Sequence, residues 1–168
     1  IGLMGSIMAN TLVEGYPGRR YHAGSTNVDE IENLAIERAK QVFGCRYANV
    51  QVHAGSQANQ VAYLGLLKPG DTVLSMSLTD GGHLSHGAAP SMLGKWFNVI
   101  QYGVRKQDGL LDYDQLESLA HTHRPRMIIA GGSAYPRAID FERFGRLAKE
   151  VDAYFLADIA HFASMVAA

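Results

Sequence analysis

An α/β fold, a three-layer sandwich around a mostly parallel sheet, is predicted by three features of this sequence. Apolar runs of strand length alternate with amphipathic stretches of helix length. The joints between them are marked by Gly and Pro. No repeat, low-complexity tract or linker divides the chain, so its 168 residues read as one domain, 1–168. Residues 29–43 set Ile31, Leu34, Ala35, Ala39, Val42 and Phe43 largely on one helical stripe, stopped at Gly44. Residues 50–53 read as a short strand ending at Gly55-Ser56, and 57–67 as a helix closed by Lys68-Pro69-Gly70. Further strands are expected at 72–76, 97–102, 127–130 and 154–157, with helices at 114–121 and 141–151.

Composition narrows the function. The hydrophobic share of 47% with 18% charged residues is that of a globular domain with a sizeable core. Fifteen basic against sixteen acidic side chains leave a formal charge of −1, so neither nucleic acid nor an anionic membrane is an expected partner. The apolar start, residues 1–9, lacks the basic leader and cleavage site of a signal peptide and is too short to span a bilayer. Cys45 stands alone, which excludes an intramolecular disulfide and suits a reducing, cytoplasmic compartment. Val166-Ala167-Ala168 follow an apolar run with no helix stop, and the expectation is a piece of a larger protein.

In an open parallel sheet, ligands bind beyond the carboxyl ends of the strands, and four such places carry chemistry. At His53-Ala54-Gly55-Ser56-Gln57 a glycine turn leads into a helix whose N-terminal N–H groups suit a phosphate; taken by itself, the segment reads more readily as a plain serine cap. The loop running from Leu78 to His86 holds two imidazoles, His83 and His86. Its glycines oppose a regular helix and no zinc signature is present, so no metal is expected; an imidazole here either stacks on a planar ring or binds local backbone. Ser133-Ala134-Tyr135 is a turn after a strand. At Asp158-Ile159-Ala160-His161 a carboxylate emerges from an apolar strand and needs a partner, which is a protonated pyridine nitrogen, an arginine or His161.

Together these words resemble one family, serine hydroxymethyltransferase, also called glycine hydroxymethyltransferase. The matching stretches are Glu14-Gly15-Tyr16-Pro17-Gly18-Arg19-Arg20-Tyr21, then Ala48-Asn49-Val50-Gln51 leading into Gly55-Ser56-Gln57-Ala58-Asn59, then Gly81-Gly82-His83-Leu84, Ser133-Ala134-Tyr135 and Asp158-Ile159-Ala160-His161. The resemblance implies part of the large domain of a fold-type I pyridoxal-phosphate enzyme. It implies pyridoxal 5'-phosphate as cofactor and tetrahydrofolate as co-substrate, in an interconversion of serine and glycine belonging to one-carbon metabolism. It also implies a homodimer or tetramer that shares its active sites between subunits.

Carried over residue by residue, the resemblance implies that Gly55, Ser56 and Gln57 hold the cofactor phosphate, that His83 stacks on the pyridine ring and that Asp158 pairs with the ring nitrogen. Ser133 and His161 would lie against the phenolic oxygen. Glu14 would move a proton at the substrate hydroxyl in a neighbouring subunit's site, with Tyr21 beside it, and Leu78 and Leu84 would flank the folate pteridine. A carboxylate at Asp158 keeps the ring nitrogen protonated, and a positioned carboxyl such as Glu14 is a suitable proton carrier.

Some positions depart from the pattern. Leu12 and His22 stand where the family has tyrosines, and Ala54 stands where it has serine. His22 alters the group nearest the substrate α-carbon, which keeps an α-methylserine hydroxymethyltransferase or an aldolase in view. The family's lysine that holds the cofactor lies in a threonine-rich segment, and none of Lys40, Lys68, Lys95, Lys106 or Lys149 stands in that context. A noncatalytic α/β binding module is accordingly the second reading for the chain as it stands.

Overall fold

The amphipathic run ahead of Gly44 forms the helix its periodicity predicts. In the computed structural model, which describes Gly2 and residues 4–168, the chain packs as two units, Ile1–Val52 with Val166–Ala168, and His53–Met165. Ile1 and Leu3, part of the apolar start, lie outside the described residues. The first unit carries an antiparallel hairpin, β1 (Gly15–Tyr16) with β2 (Arg19–Arg20), and helix α1 (Thr26–Phe43). Gly44 turns left-handed at φ 59° and returns its N–H to the Lys40 carbonyl, a conformation that costs glycine little.

The strand expected at 50–53 does not form. Asn49 Oδ1 accepts the Gln51 N–H at 2.9 Å, so a side chain occupies the donor that a ladder would need, and Gln51 and His53 stay exposed. The helix that follows, α2 (Gly55–Leu66), is therefore entered from a loop.

The second unit is built on the remaining apolar runs. Strands β3 (Thr72–Met76), β4 (Asn98–Tyr102), β5 (Met127–Gly131) and β6 (Tyr154–Asp158) lie parallel in the order β4-β3-β5-β6, with helices α3 (Met92–Trp96), α4 (Tyr113–His123) and α5 (Phe141–Glu150) between them. Short α6 (Ala163–Ala167) follows β6. Alternate strand residues serve opposite faces, as the two-residue period of a strand requires. Leu74, Met76, Ile128 and Ala130 pack with Leu116 and Ala120 of α4 and with Phe144, Leu147 and Ala148 of α5. Val73, Met127 and Ile129 pack with Tyr63 of α2 and Leu93 of α3. This is the three-layer sandwich, and β5, buried throughout, reads as a continuous apolar run because both its faces are covered.

The chain runs from β3 to β4 on one side, then crosses to β5 and β6 on the other. The loops leaving β3 and β5 thus diverge at a switch point, the usual location of a ligand crevice in an open sheet. Gly81 holds these two loops together: its carbonyl accepts the N–H groups of Ser133 (2.9 Å) and Ala134 (3.1 Å). It sits at φ 110°, and a Cβ there would stand 2.8 Å from the Tyr135 nitrogen, so only glycine allows the backbones to meet.

Candidate active site

At this end of the sheet a cavity of about 220 Å³ is lined by Ala54, Gly55, Ser56, His83, Asp158, Ala160 and His161. Sequence-predicted residues from three separate loops thus share one hollow. One wall is the start of α2. Its N-cap, Ala54, is extended (φ −154°, ψ 156°) and has no side chain able to cap, and the first intrahelical bond there is from Ala58 N–H to the Ala54 carbonyl. The N–H groups of Gly55, Ser56 and Gln57 consequently have no acceptor within the helix and present a positive end. Ser56 lies inside the first turn, so the reading of this serine as a plain cap is corrected. The side-chain Oε1 of Gln57 accepts His53 N–H at 2.6 Å, and Gln57 is not part of the cavity lining.

Asp158 also lines the cavity, and its side chain is 13% exposed. Oδ2 accepts from Asn59 Nδ2 at 2.9 Å and from His86 Nε2 at 2.8 Å, and Oδ1 accepts Ala160 N–H at 3.1 Å. The partner is therefore His86, and neither an arginine nor His161. His86 is 1% exposed, and its Nδ1 faces the backbone N–H of His83 at 3.4 Å. Nδ1 therefore accepts, which assigns the proton to Nε2 and makes His86 a donor to Asp158. The His86 hydrogen bond, aided by Asn59 and Ala160, holds the Asp158 carboxyl well below the usual carboxylate range against the opposing effect of burial. With His86 in this neutral tautomer and, among the described residues, no lysine or arginine paired with Asp158, the charge is solvated by donors without being cancelled. Burial, and then that charge, push the Tyr63 hydroxyl up; it donates to the Ser85 carbonyl at 3.0 Å.

His83 forms the flat side of the cavity. Its Nδ1 accepts Ser85 N–H (3.1 Å) and lies 2.8 Å from Ser85 Oγ, which itself accepts from Asn59. The local-backbone role anticipated for a loop histidine is thus realised, and it fixes the ring on the cavity wall. The His161 ring lies 6.1 Å from it, centroid to centroid.

Ser133 is exposed and outside this lining, tied by its N–H to Gly81. Leu78 and Leu84 meet along a separate open groove of about 720 Å³ that Pro90, Val99 and Ile100 help to form. Glu14, Tyr21 and His22 belong to the first unit, where Glu14 Oε2 lies 3.8 Å from His22 Nε2 and Tyr21 is exposed. Asn59 and His86 were not among the predicted site residues. A signal for Asn59 was available: it lies one turn after Ser56 and one before Tyr63 on the buried stripe of α2, where a polar side chain needs a partner. Among the described residues no group of three or more His, Cys, Asp or Glu is arranged to hold a metal, and no helix is long and apolar enough to cross a membrane.

A family model described as Serine hydroxymethyltransferase matches residues 1–168. The chain belongs to the serine hydroxymethyltransferase family. This is a fold-type I family, and the parallel sheet with helices on both faces agrees with it. A serine hydroxymethyltransferase of Ruegeria pomeroyi is 65% identical over 164 residues, 98% of this chain and 38% of that protein. Those of Paramagnetospirillum magneticum and Rickettsia felis are each 61% identical over 163 residues, 97% of this chain and 38% and 39% of theirs. The chain thus spans less than two fifths of the length of these relatives.

Proposed function

We propose that the full-length protein binds pyridoxal 5'-phosphate in this cavity and transfers a hydroxymethyl group between serine and glycine with tetrahydrofolate, as a homodimer or tetramer in the cytoplasm. One observation carries the reading: the open start of α2 and the uncancelled carboxylate of Asp158 face one cavity, with an imidazole along its side. A phosphate suits the first, a ring N–H⁺ the second and a flat aromatic ring the third. Oδ1 of Asp158, which among the described residues takes the Ala160 N–H alone, has capacity for the ring donor. When bound, the cofactor accepts the electron pair released as a bond at the amino-acid α-carbon breaks.

The residues of this chain support that chemistry in distinct ways. Gly55, Ser56 and Gln57 bind the phosphate through backbone N–H groups and the Ser56 hydroxyl. Asp158 holds a proton on the ring nitrogen, with Asn59 and His86 keeping it ionised and aimed. His83 supports the ring face, while Ser133 and His161 serve its oxygen side. Glu14 carries a proton at the substrate hydroxyl, Tyr21 and His22 border the amino acid, and Leu78 and Leu84 offer an apolar surface to the folate.

Absorbance near the visible edge, abolished by borohydride, is expected of the full-length protein supplied with the cofactor, together with tetrahydrofolate-dependent turnover of serine. A colourless protein that takes up no cofactor overturns the reading. Preference for α-methylserine over serine at equal concentration replaces the substrate assignment, and folate-independent cleavage of both points to an aldolase; the names of the relatives favour serine.

A further inference from the structure

The backbone around Glu14 is held more tightly than its side chain suggests. The Glu14 carboxylate is 69% exposed, and its partner among the described residues is His22 at 3.8 Å. Yet three consecutive carbonyls, at residues 13, 14 and 15, are all taken by donors. Arg20 Nη1 donates to the Val13 carbonyl at 2.9 Å and to the Gly15 carbonyl at 2.8 Å, and Tyr21 N–H donates to the Glu14 carbonyl at 3.0 Å. Arg20 is 5% exposed and is anchored at its other edges, by Nε to Asp29 Oδ1 (2.7 Å) and by Nη2 to Glu32 Oε2 (2.6 Å), both on α1. Gln51 Nε2 adds bonds to the Gly15 carbonyl (2.9 Å) and to Glu32 Oε1 (2.7 Å). The guanidinium fork is suited to this task because it donates along several fixed directions at once, which an ammonium does not.

We infer that Arg20 is a positioning residue for the reaction, clamping the carbonyls on both sides of Glu14 to the rigid start of α1 so that an otherwise free carboxylate is presented from a fixed backbone. This rests on the reading of Glu14 as the proton-carrying group. Displacing a reacting group by an ångström is enough to cost up to about 100-fold in rate, so the clamp acts on turnover with little effect on binding.

The test is a double-mutant cycle in the full-length, cofactor-loaded enzyme with Arg20→Lys, Glu14→Gln and both together. Arg20→Lys keeps a cation between Asp29 and Glu32 but cannot reach both carbonyls. It is expected to lower kcat by about 10- to 100-fold, with the KM for serine and the cofactor absorbance nearly unchanged, and to have no further effect on kcat once Glu14 is Gln. If Arg20→Lys lowers kcat by the same factor in both backgrounds, or leaves it unchanged in the parent, the inference is overturned while the Glu14 reading stands. If Glu14→Gln alone turns over normally, the Glu14 reading fails and takes the inference with it. Should circular dichroism show Arg20→Lys unfolded, the charge-neutral set Arg20→Gln, Asp29→Asn and Glu32→Gln replaces it in the same cycle, with the same outcomes deciding.

Discussion

Arg20 and Asp158 are both nearly withdrawn from water, and they are treated in opposite ways. Arg20 faces two carboxylates, Asp29 and Glu32, and spends its remaining donors on backbone carbonyls. Its charge is cancelled, and four of its five N–H groups are taken by partners within the chain. Asp158 faces an amide, a backbone N–H and an imidazole that donates from Nε2. Its charge is solvated but not cancelled, in a cavity wall. Burial and hydrogen bonding are common to both, and the missing counter-charge is the feature on which the proposed role of Asp158 toward a cation rests.

The comparison breaks most visibly at Asp158. Replacing it with Asn keeps the shape and removes the charge, so in the full-length enzyme kcat is expected to fall by about 10²–10³-fold, the scale of losing one preorganised electrostatic group, while circular dichroism stays that of the parent. Full turnover in Asp158→Asn makes the carboxylate merely structural. His86→Leu removes a donor to a charged acceptor, an interaction of about 1.5–3 kcal/mol, and a loss of cofactor affinity of about 10- to 100-fold by equilibrium titration is expected. Unchanged affinity would show that His86 contributes nothing to the carboxylate.

Acid sharpens the contrast further. The folded-state pKa of Asp158 is depressed, so its stabilising contribution is complete above the unfolded value near about 3.9 and is lost as pH falls toward the lower folded value. The stability gap between the cofactor-free full-length protein and its Asp158→Asn variant, measured by urea unfolding, is therefore expected to be constant above about pH 5 and to narrow below about pH 4. A gap that widens on acidification contradicts the assignment. The smallest effect is at the cradle. Ser56→Ala leaves the three backbone N–H groups in place and removes one hydroxyl, so a loss of about 2- to 10-fold in cofactor affinity by the same titration is expected. A loss as large as that of His86→Leu would make the hydroxyl, and not the helix start, the main anion contact.

Much of this was legible in the sequence, for identifiable reasons. The run at 72–76 is the strand itself, and those at 97–102, 127–130 and 154–157 match within a residue at one end; the two central strands, β3 and β5, are buried almost throughout and so read as near-continuous apolar runs. The run at 50–53 looked alike but has no strand beside it, and an Asn49 side chain took its donor. Local pattern carries no information on pairing of that kind. Gly81 and His83 were readable as loop residues after a strand, and Asp158 as the carboxylate at the end of one. The partnership of Asp158 with His86 joins positions 72 residues apart, and choosing it over His161, three residues away, requires the sheet order that sets the β3 and β6 loops beside one cavity. Asn59 left a signal, a polar side chain on the buried stripe of α2, but its partners Ser85 and Asp158 come from other elements and only the fold reveals them.

The proposed pairing of the Asp158 charge with the cofactor's ring nitrogen is open to ¹⁵N NMR of the full-length protein loaded with cofactor labelled at that nitrogen, recorded from pH 5 to pH 9. A protonated ring nitrogen is expected across the whole range, and a neutral one in Asp158→Asn over its upper part. A neutral ring nitrogen in the parent protein, or one that titrates identically in the parent and in Asp158→Asn, contradicts the pairing.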